Sequence, residues 1–434
     1  MNPFAARLAT SVLVIALLAG CSAGTLINPL DTTVFGDAGN WLVVLYMSAD
    51  NDLEAQAIED LNELEGVDLS GSGITVLALV DRIAGYDASN GDWTGTRLYE
   101  IVHDPDGVDG EINSMPIAAP GLGFDPSGGE VELDLSDPAT LDALLSFALE
   151  RYTPEHLALV IWGHGSGYRA ISFDDTSGGG ALFTAELAAA IDGHHLDVIA
   201  FDTCFSASIE VAYQLRHRAG IMIGSQDLIP ADGWEYDDLL TRFAGSGQTP
   251  ADFGDAVVRS FESNYASFSS GTISVIDLES IDSAHLALNE FSNQVHDSLV
   301  DSGIRNDLRE SLFYDVEDFY TTPGDLAIDL RHMAEVVGRD YDLADAAAAA
   351  LNAAIANAVV TQWFNPAGNP FAGGLSVHYI PLAGNGSAEP LHDIAYFRGG
   401  DPEFPLEFVS DSTWVPELPD GPGLLHRLFY EVME

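Results

Sequence analysis

The feature that most constrains the fold is a series of short, continuous apolar runs that alternate with helical patterns. The runs are Trp41–Tyr46, Ile74–Val80, Leu157–Trp162, Val198–Phe201 and Gly220–Gly224. A strand that is apolar at every position is typical of a parallel sheet covered on both faces. Helical spacing lies between the runs, for example at residues 53–64, 138–152 and 184–191. This alternation predicts an α/β fold, with a mostly parallel sheet flanked by helices.

The pattern changes after Gly245. We predict a helix near residues 250–265, a strand at 272–278, long Ala-rich helices at about 282–300 and 329–360, and a last strand at 374–380. We therefore divide the folded part of the chain into an α/β core over residues 41–280 and a C-terminal α+β extension over residues 281–434.

Residues 1–20 have the features of an export signal. Arg7 supplies a positive charge, and Leu8–Leu18 is apolar but too short to span a bilayer. The motif Leu18-Ala-Gly-Cys21 resembles the bacterial lipobox, in which the cysteine becomes the lipidated first residue after cleavage. We predict a lipid anchor at Cys21, a tether over residues 21–40 and attachment to the bacterial cell envelope. Because Ser22 follows the cysteine, the outer membrane is expected in a Gram-negative cell. The alternative is an ordinary secretory signal with a chance cysteine.

The charge of the chain excludes some functions. Its net charge is −53, and its basic residues are all arginine. Without a basic patch to neutralise phosphates, nucleic-acid binding is not expected. A hydrophobic content of 47% is that of a globular protein rather than of a disordered acidic tail. The acidic surface predicts a marine or halophilic source, because salt screens its self-repulsion.

Cysteine usage points to a functional thiol. The chain has two cysteines, and lipid attachment to Cys21 would leave Cys204 without a partner. Exported proteins usually pair their cysteines, so a single remaining thiol suggests that it is used.

His164 and Cys204 each follow a predicted strand, where sites form in open α/β sheets. We expect Cys204 to open a helix running to about Arg218, whose dipole would favour the thiolate. His164 would serve as a base, and Gly165 would let the backbone approach a substrate. The alternative is a buried structural cysteine and a histidine that is satisfied by turn hydrogen bonds.

Several segments resemble the clostripain family of cysteine peptidases. They are Trp41–Glu54, Ile161–Tyr168, Phe201–Cys204, Glu210–Tyr213, Gly224–Trp234 and Gly373–Tyr379. The resemblance implies a caspase-like fold for the core and endopeptidase cleavage after arginine or lysine. It also implies that His164 is the catalytic base, that Cys204 is the nucleophile, and that the N–H groups of Gly165 and Cys204 form an oxyanion hole.

Substrate-binding residues are expected near the nucleophile. Asp202 precedes Cys204 by two positions, and Asp232 falls where the family places a second pocket acid. Trp234, two positions after Asp232, is the third expected substrate-binding residue. Two carboxylates in a partly dehydrated pocket favour a guanidinium, which can bond them as a fork. The expected partners are therefore peptides or proteins with basic residues. The alternative for each acid is plain surface.

No cofactor is expected for the chemistry. The pair His194-His195 is read as loop surface rather than as a zinc site. Calcium, which some relatives bind, is a candidate structural or activating ion. Its candidate ligands lie in Asp50-Asn-Asp52, Asp104-x-Asp106 and Asp174-Asp175; solvated acidic turns are the alternative, because none has the EF-hand spacing.

Members of this family are often matured by cleavage after a basic residue between the histidine and the cysteine, and Arg169 is the only Arg or Lys in that interval here. The protein is therefore expected to act as an unprocessed single chain, or to be matured by another enzyme or at another site. The alternative to an enzyme is a non-catalytic surface lipoprotein that uses the same fold to bind peptides or glycans.

Overall fold

The computed structural model describes residues 40–124, 131–299, 302–319, 327–341, 344–379 and 406–414, together with Leu424 and Leu428. The predicted leader and tether, including Cys21, lie outside the described residues.

The strands, in chain order, are β1 Trp41–Ala49, β2 Ile74–Arg82, β3 Gly95–Glu100, β4 His156–Trp162, β5 Ala170–Asp174, β6 Gly180–Phe183, β7 Leu196–Asp202, β8 Ala219–Gly224, β9 Thr272–Asp277, β10 Asp318–Phe319, β11 Ala327–Asp329, β12 Val359–Phe364 and β13 Ser376–His378. The α-helices are α1 Glu54–Glu65, α2 Pro138–Tyr152, α3 Thr184–Ala190, α4 Ile209–Leu215, α5 Tyr236–Ala244, α6 Pro250–Tyr265, α7 Ile281–Ser298, α8 Ser302–Tyr314, α9 Leu330–Tyr341, α10 Asp345–Ala358 and α11 Glu407–Asp411. Short 3-10 turns lie at Pro120–Leu122 and Leu278–Ser280.

Among the described residues, the central sheet has eight strands in the order β12-β9-β8-β7-β4-β1-β2-β3. The five strands from β8 to β2 are parallel, whereas β3, β9 and β12 each pair antiparallel with a neighbour. The predicted fold class, a mostly parallel α/β sheet flanked by helices, is confirmed. Within the described residues, no helix combines the length and apolar character needed to cross a bilayer.

The core explains why the strand sequences are apolar throughout. Along β1, alternate residues such as Leu42 and Val44 pack into one apolar cluster, and Trp41 and Val43 pack into another. Burial of both faces leaves no position for a solvated side chain, which gives the continuous run instead of an alternating one.

The structure differs from the predicted elements in several places; α5 and α8, for example, have no predicted counterpart. The region 329–360 is two helices, α9 and α10, followed by β12, which adds the edge strand of the central sheet beside β9. A β5–β6 hairpin lies between His164 and Cys204, where no strand was predicted. The last predicted strand is shorter, as β13, and belongs to a separate sheet with β10 and β11.

Candidate active site

The register of two central strands positions the predicted catalytic pair. β4 and β7 are neighbouring parallel strands in which Trp162 pairs with Asp202. His164 and Cys204 each lie two residues beyond this pair, so both reach the carboxyl edge of the sheet at the same level. Both line one cleft of about 210 Å³, and Asp202 and Gly233 line it with them.

The segment after Cys204 differs from the sequence prediction. The predicted helix from Cys204 is wrong at its start, because α4 begins at Ile209, and the Ser208 hydroxyl caps it by accepting the N–H of Val211. Phe205 has φ of 59°, a left-handed conformation that does not continue a helix. Cys204 therefore does not lie at a helix N-terminus, and a helix dipole cannot favour its thiolate.

The environment of the thiol favours its protonated form. Cys204 is partly buried, and the backbone N–H of Ile229 donates to its Sγ at 3.4 Å. Burial raises the pKa of the Cys204 thiol; the Ile229 N–H opposes the rise, and the charges of Asp202 and Asp227 add to it. At neutral pH the thiol therefore needs a base before it can act as a nucleophile.

Gly165 is held directly against the backbone of Cys204. A Cβ atom at position 165 would lie 2.6 Å from the Cys204 carbonyl oxygen and 2.9 Å from the Thr203 Cβ. Gly163 has φ of 132° and would place a Cβ 3.0 Å from the Ser48 carbonyl oxygen. The loop that carries His164 can therefore sit between β1 and β7 only because glycine occupies both flanking positions.

A carboxylate that was named only among the candidate calcium ligands, that of Asp52, contacts the histidine. Oδ1 of Asp52 lies 2.7 Å from Nε2 of His164, with both side chains partly exposed. The bond from His164 lowers the pKa of Asp52. The turn before α1 is held by Asn51, whose Oδ1 accepts the N–H of Leu53. The sequence did contain a signal for this contact. Asp52 follows the end of β1 as His164 follows the end of β4, and these two parallel strands are neighbours in the sheet.

Asp202 lies at the floor of the cleft with one oxygen unsatisfied. Its side chain is buried, and Oδ2 accepts from the Trp234 N–H at 3.1 Å and from the Tyr236 hydroxyl at 3.0 Å. Oδ1 has no hydrogen-bond partner within the described residues. Burial raises the pKa of Asp202 to about 7, against the effect of both bonds. Gly233, with φ of 62°, leaves room there, since a Cβ would lie 2.9 Å from Oδ2.

The other two predicted substrate-binding residues lie differently. Asp232 is exposed, between Ala231 and Gly233, which line the cleft, but it does not line the cleft itself. The indole of Trp234 is buried in the core, so this residue meets the site through its backbone N–H to Asp202.

Arg169 lies in a backbone segment that is hydrogen-bonded on both sides. The N–H of Thr184 donates to the Arg169 carbonyl at 3.1 Å, and the N–H of Ser166 donates to the Ala170 carbonyl at 2.9 Å. Ala170 also pairs with Phe183 in the β5–β6 hairpin.

Residues suited to a metal ion lie outside the cleft. In the described part of the chain, two groups of acids bring carboxylate oxygens within 4.8 Å of one another. One is formed by Asp50, Asp81, Glu132 and Asp174, and the other by Glu63, Glu235 and Asp237.

Comparison with known proteins agrees with the resemblance seen in the sequence. The chain is 27% identical to clostripain of Hathewaya histolytica over 232 residues, which make up 48% of this chain and 43% of clostripain. The chain thus spans less than half the length of this curated relative. A secreted C11 cysteine protease from Bacteroides thetaiotaomicron has a similar fold, with a TM-score of 0.60 at 19% identity over 83% of this chain and 96% of that one. An inactive zymogen C11 protease from Parabacteroides distasonis is also similar in fold, with a TM-score of 0.63 at 20% identity over 87% and 98% of the two chains. The model of the Clostripain family matches residues 45–362, which is most of the chain, and the protein therefore belongs to that family.

Proposed function

We propose that this protein is a cysteine endopeptidase that cleaves peptide bonds after arginine, with lysine as a weaker alternative. The observation that carries the proposal is one cleft lined by His164, Cys204 and Asp202, at the carboxyl ends of two paired strands. His164 supplies the base and Cys204 the thiol that nucleophilic catalysis needs. Asp202 supplies a buried acid that can bind a basic side chain of the substrate.

In the proposed reaction, His164 takes the proton of Cys204, and the thiolate attacks the carbonyl carbon of the scissile bond. Collapse of the tetrahedral intermediate releases the amine, which receives that proton from His164, and leaves a thioester on Cys204. Water, activated by His164, hydrolyses the thioester and regenerates the thiol. The N–H groups of Gly165 and Cys204 stabilise the oxyanion, and the charge of Asp52 stabilises the imidazolium.

The free oxygen of Asp202 supports the preference for arginine. Oδ2 is already used by Trp234 and Tyr236, so Oδ1 remains to accept a donor from the substrate. An ionised carboxylate in a buried position strongly favours a cationic partner, and a guanidinium offers several donors in one plane. Asp232, exposed beside the cleft, is the second acid that we assign to recognition of basic substrates, from the resemblance.

We also propose that the enzyme acts as a single chain on the cell exterior, anchored by a lipid at Cys21. The hydrogen bonds around the Arg169–Ala170 bond support the single-chain form, because a peptidase binds its substrate as an extended, unpaired strand.

The location and the lipid anchor are proposed from the lipobox-like sequence, and a fold neighbour from Bacteroides thetaiotaomicron is named as secreted. Loss of membrane fractionation and of a lipid mass shift in a Cys21→Ala variant would test the anchor.

The central test is turnover of a fluorogenic arginyl peptide by residues 22–434 in high salt. We expect activity in the wild type and in a His194→Ala control, whose histidine bonds Asp142 away from the cleft. We expect none in Cys204→Ala or His164→Ala. Labelling of Cys204 by an arginyl acyloxymethyl ketone reports the nucleophile directly. A folded wild type that neither turns over substrate nor takes up the probe would instead favour the binding lipoprotein.

A further inference from the structure

Residues 228–231 form one side of the cleft beside Cys204, and we call them the cleft wall. The backbone N–H of Ile229, in this wall, donates to Sγ of Cys204 at 3.4 Å. This bond opposes the rise that burial causes in the pKa of the thiol. The position of the cleft wall therefore affects both the shape of the cleft and the environment of the nucleophile.

The residues just before the cleft wall are held by the C-terminal part of the chain. The Gln226 side chain is buried; its Nε2 donates to Oδ2 of Asp329 at 2.9 Å, and its Oε1 accepts the Gly374 N–H at 2.8 Å. Asp227 accepts from the Asn369 side chain at 3.0 Å. The cleft wall is thus attached to residues that lie more than 100 positions further along the chain.

Asp329, the last residue of β11, is at the centre of this attachment. It is 0% exposed, and within the described residues its two oxygens accept three donors. Besides Gln226, Oδ2 accepts the Gly373 N–H at 2.5 Å, and Oδ1 accepts the His332 N–H at 2.8 Å. A Cβ atom at position 373 would lie 2.9 Å from Oδ1 of Asp329, so glycine is needed for this close approach.

The carboxylate of Asp329 is held by neutral donors. In the described part of the chain it has no ion pair, and Arg331, two positions away, pairs with Glu335 at 3.9 Å. Burial raises the pKa of Asp329, and the bonds from Gln226, His332 and Gly373 oppose the rise. Burying a carboxylate is costly, but hydrogen bonds to a charged group are about twice as strong as neutral ones. The ionised carboxylate therefore holds Gln226 more firmly than a neutral side chain would.

We propose that Asp329 is a positioning residue for the peptidase reaction. Through Gln226 it fixes the cleft wall, and with it the Ile229 N–H, against Cys204. Asp329 is not among the residues that line the cleft, so its effect passes through Gln226. The role in the reaction rests on the proposed function, whereas the effect on the thiol can be measured without any substrate.

The first test examines the thiol alone. It uses the purified full chain carrying Cys21→Ala, in which Cys204 is the only cysteine. The rate of Cys204 alkylation by iodoacetamide, followed by mass spectrometry between pH 6 and 10, gives the pKa of the thiol. Asp329→Asn should raise this pKa and slow alkylation at pH 7 about 3- to 10-fold, because the Ile229 N–H moves away from Sγ. Loss of a negative charge alone would lower the pKa, so an unchanged or lower pKa would overturn the proposal.

Glu65→Gln is the matched control. Glu65 is also 0% exposed, and its carboxylate accepts the N–H groups of Asn113 and Ser114. It is the last residue of α1, whereas Leu53, just before the first turn of that helix, lines the cleft. The control should destabilise the fold and leave the pKa of the Cys204 thiol unchanged. An equal rise in the control would point to general loosening of the fold and would overturn the proposal.

Gln226→Met tests whether Asp329 acts through Gln226. This variant removes the donor from the other side and should reproduce the rise in the pKa of the thiol. The double variant should show no larger rise than either single variant, because both changes break the same bond. Rises that add in the double variant would contradict this route. If Asp329→Asn does not fold by circular dichroism, Gln226→Met still decides.

Turnover of an arginyl peptide measures the consequence for the reaction. Asp329→Asn and Gln226→Met should each lower kcat/KM about 10- to 100-fold, because a small displacement of the cleft wall misplaces the substrate. Glu65→Gln should lower it less than about 3-fold at a temperature where every variant is folded. A raised pKa of the thiol with unchanged kcat/KM would overturn the role in the reaction. The same rise in a protein whose parent has no turnover would instead overturn the proposed function and support the attachment of the wall.

Discussion

Oδ1 of Asp52 lies 2.7 Å from Nε2 of His164 in the clostripain-family protein described here. The contact joins the end of β1 to the end of β4, and it gives the proposed base an anionic partner that stabilises its protonated form. We expect Asp52→Asn to lower kcat about 10- to 100-fold, with little change in KM, because Asp52 is not among the residues that line the cleft. Steady-state kinetics with an arginyl peptide would show whether kcat falls while KM stays nearly constant. An unchanged kcat in Asp52→Asn would argue that the contact is only structural.

Asp202 predicts a pH dependence of substrate recognition. Burial raises the pKa of its carboxyl to about 7, so it is charged above that pH and neutral below it. As the pH falls through 7, the pocket loses its anion, and KM for an arginyl substrate should rise. Asp202→Asn should raise KM about 100-fold and make it independent of pH between 6 and 8. Equal KM values in wild type and variant at pH 8 would show that Asp202 does not bind the basic side chain of the substrate.

Gly165 is predicted to tolerate no side chain. In Gly165→Ala the new methyl group would overlap the Cys204 carbonyl, so the loop must shift, and the N–H groups that we propose for the oxyanion hole must shift with it. We expect a loss of at least about 100-fold in kcat while the protein stays folded by circular dichroism. Gly121→Ala is the matched control, since its Cβ would meet nothing within 4 Å. Similar losses in both variants would point to a general effect on folding.

The hairpin bonds around Arg169 predict that the active enzyme remains uncut between His164 and Cys204. Prolonged incubation of the wild type should leave no cleavage after Arg169 by mass spectrometry, and Arg169→Gln should have the same activity. Two co-purifying fragments broken within this interval, absent from Cys204→Ala, would contradict the prediction.

Salt should stabilise the protein. A net charge of −53 repels itself at low ionic strength, and the Debye length shortens from about 10 Å at 0.1 M to about 3 Å at 1 M. We expect Tm to rise steadily between 0.1 and 2 M NaCl. A flat or falling Tm over this range would argue against adaptation to salt.

Elements that depend on local pattern could be predicted from the sequence. The apolar runs became β1, β2, β4, β7 and β8, and α2 and α6 have the expected bounds, because Pro138 and Pro250 mark their first turns. His164 and Cys204 could be proposed as a pair because each closely follows such a run.

Features set by contacts between distant segments could not be predicted. The helix expected at Cys204 starts later because the loop there is held by long-range bonds, such as that from the Ala207 N–H to the Ser225 carbonyl. Asp52 was a candidate only for calcium, because its partner His164 lies 112 residues away in the sequence. The acidic cluster joins Asp50 and Asp174, which were candidates, to Asp81 and Glu132, which were not, because pairing of β1 with β2 brings in Asp81.

The late position of β12 determines when the fold can be completed. Until residues 359–364 have been synthesised and have paired with β9, that strand is an open edge of the central sheet, to which another extended chain can add. The nucleophile loop also waits for the C-terminal part, because the Ser376 N–H donates to the Ala207 carbonyl. A fragment that ends near residue 280 would therefore lack both the strand that covers β9 and the bond that holds the loop after Cys204, and we do not expect it to act as a smaller peptidase.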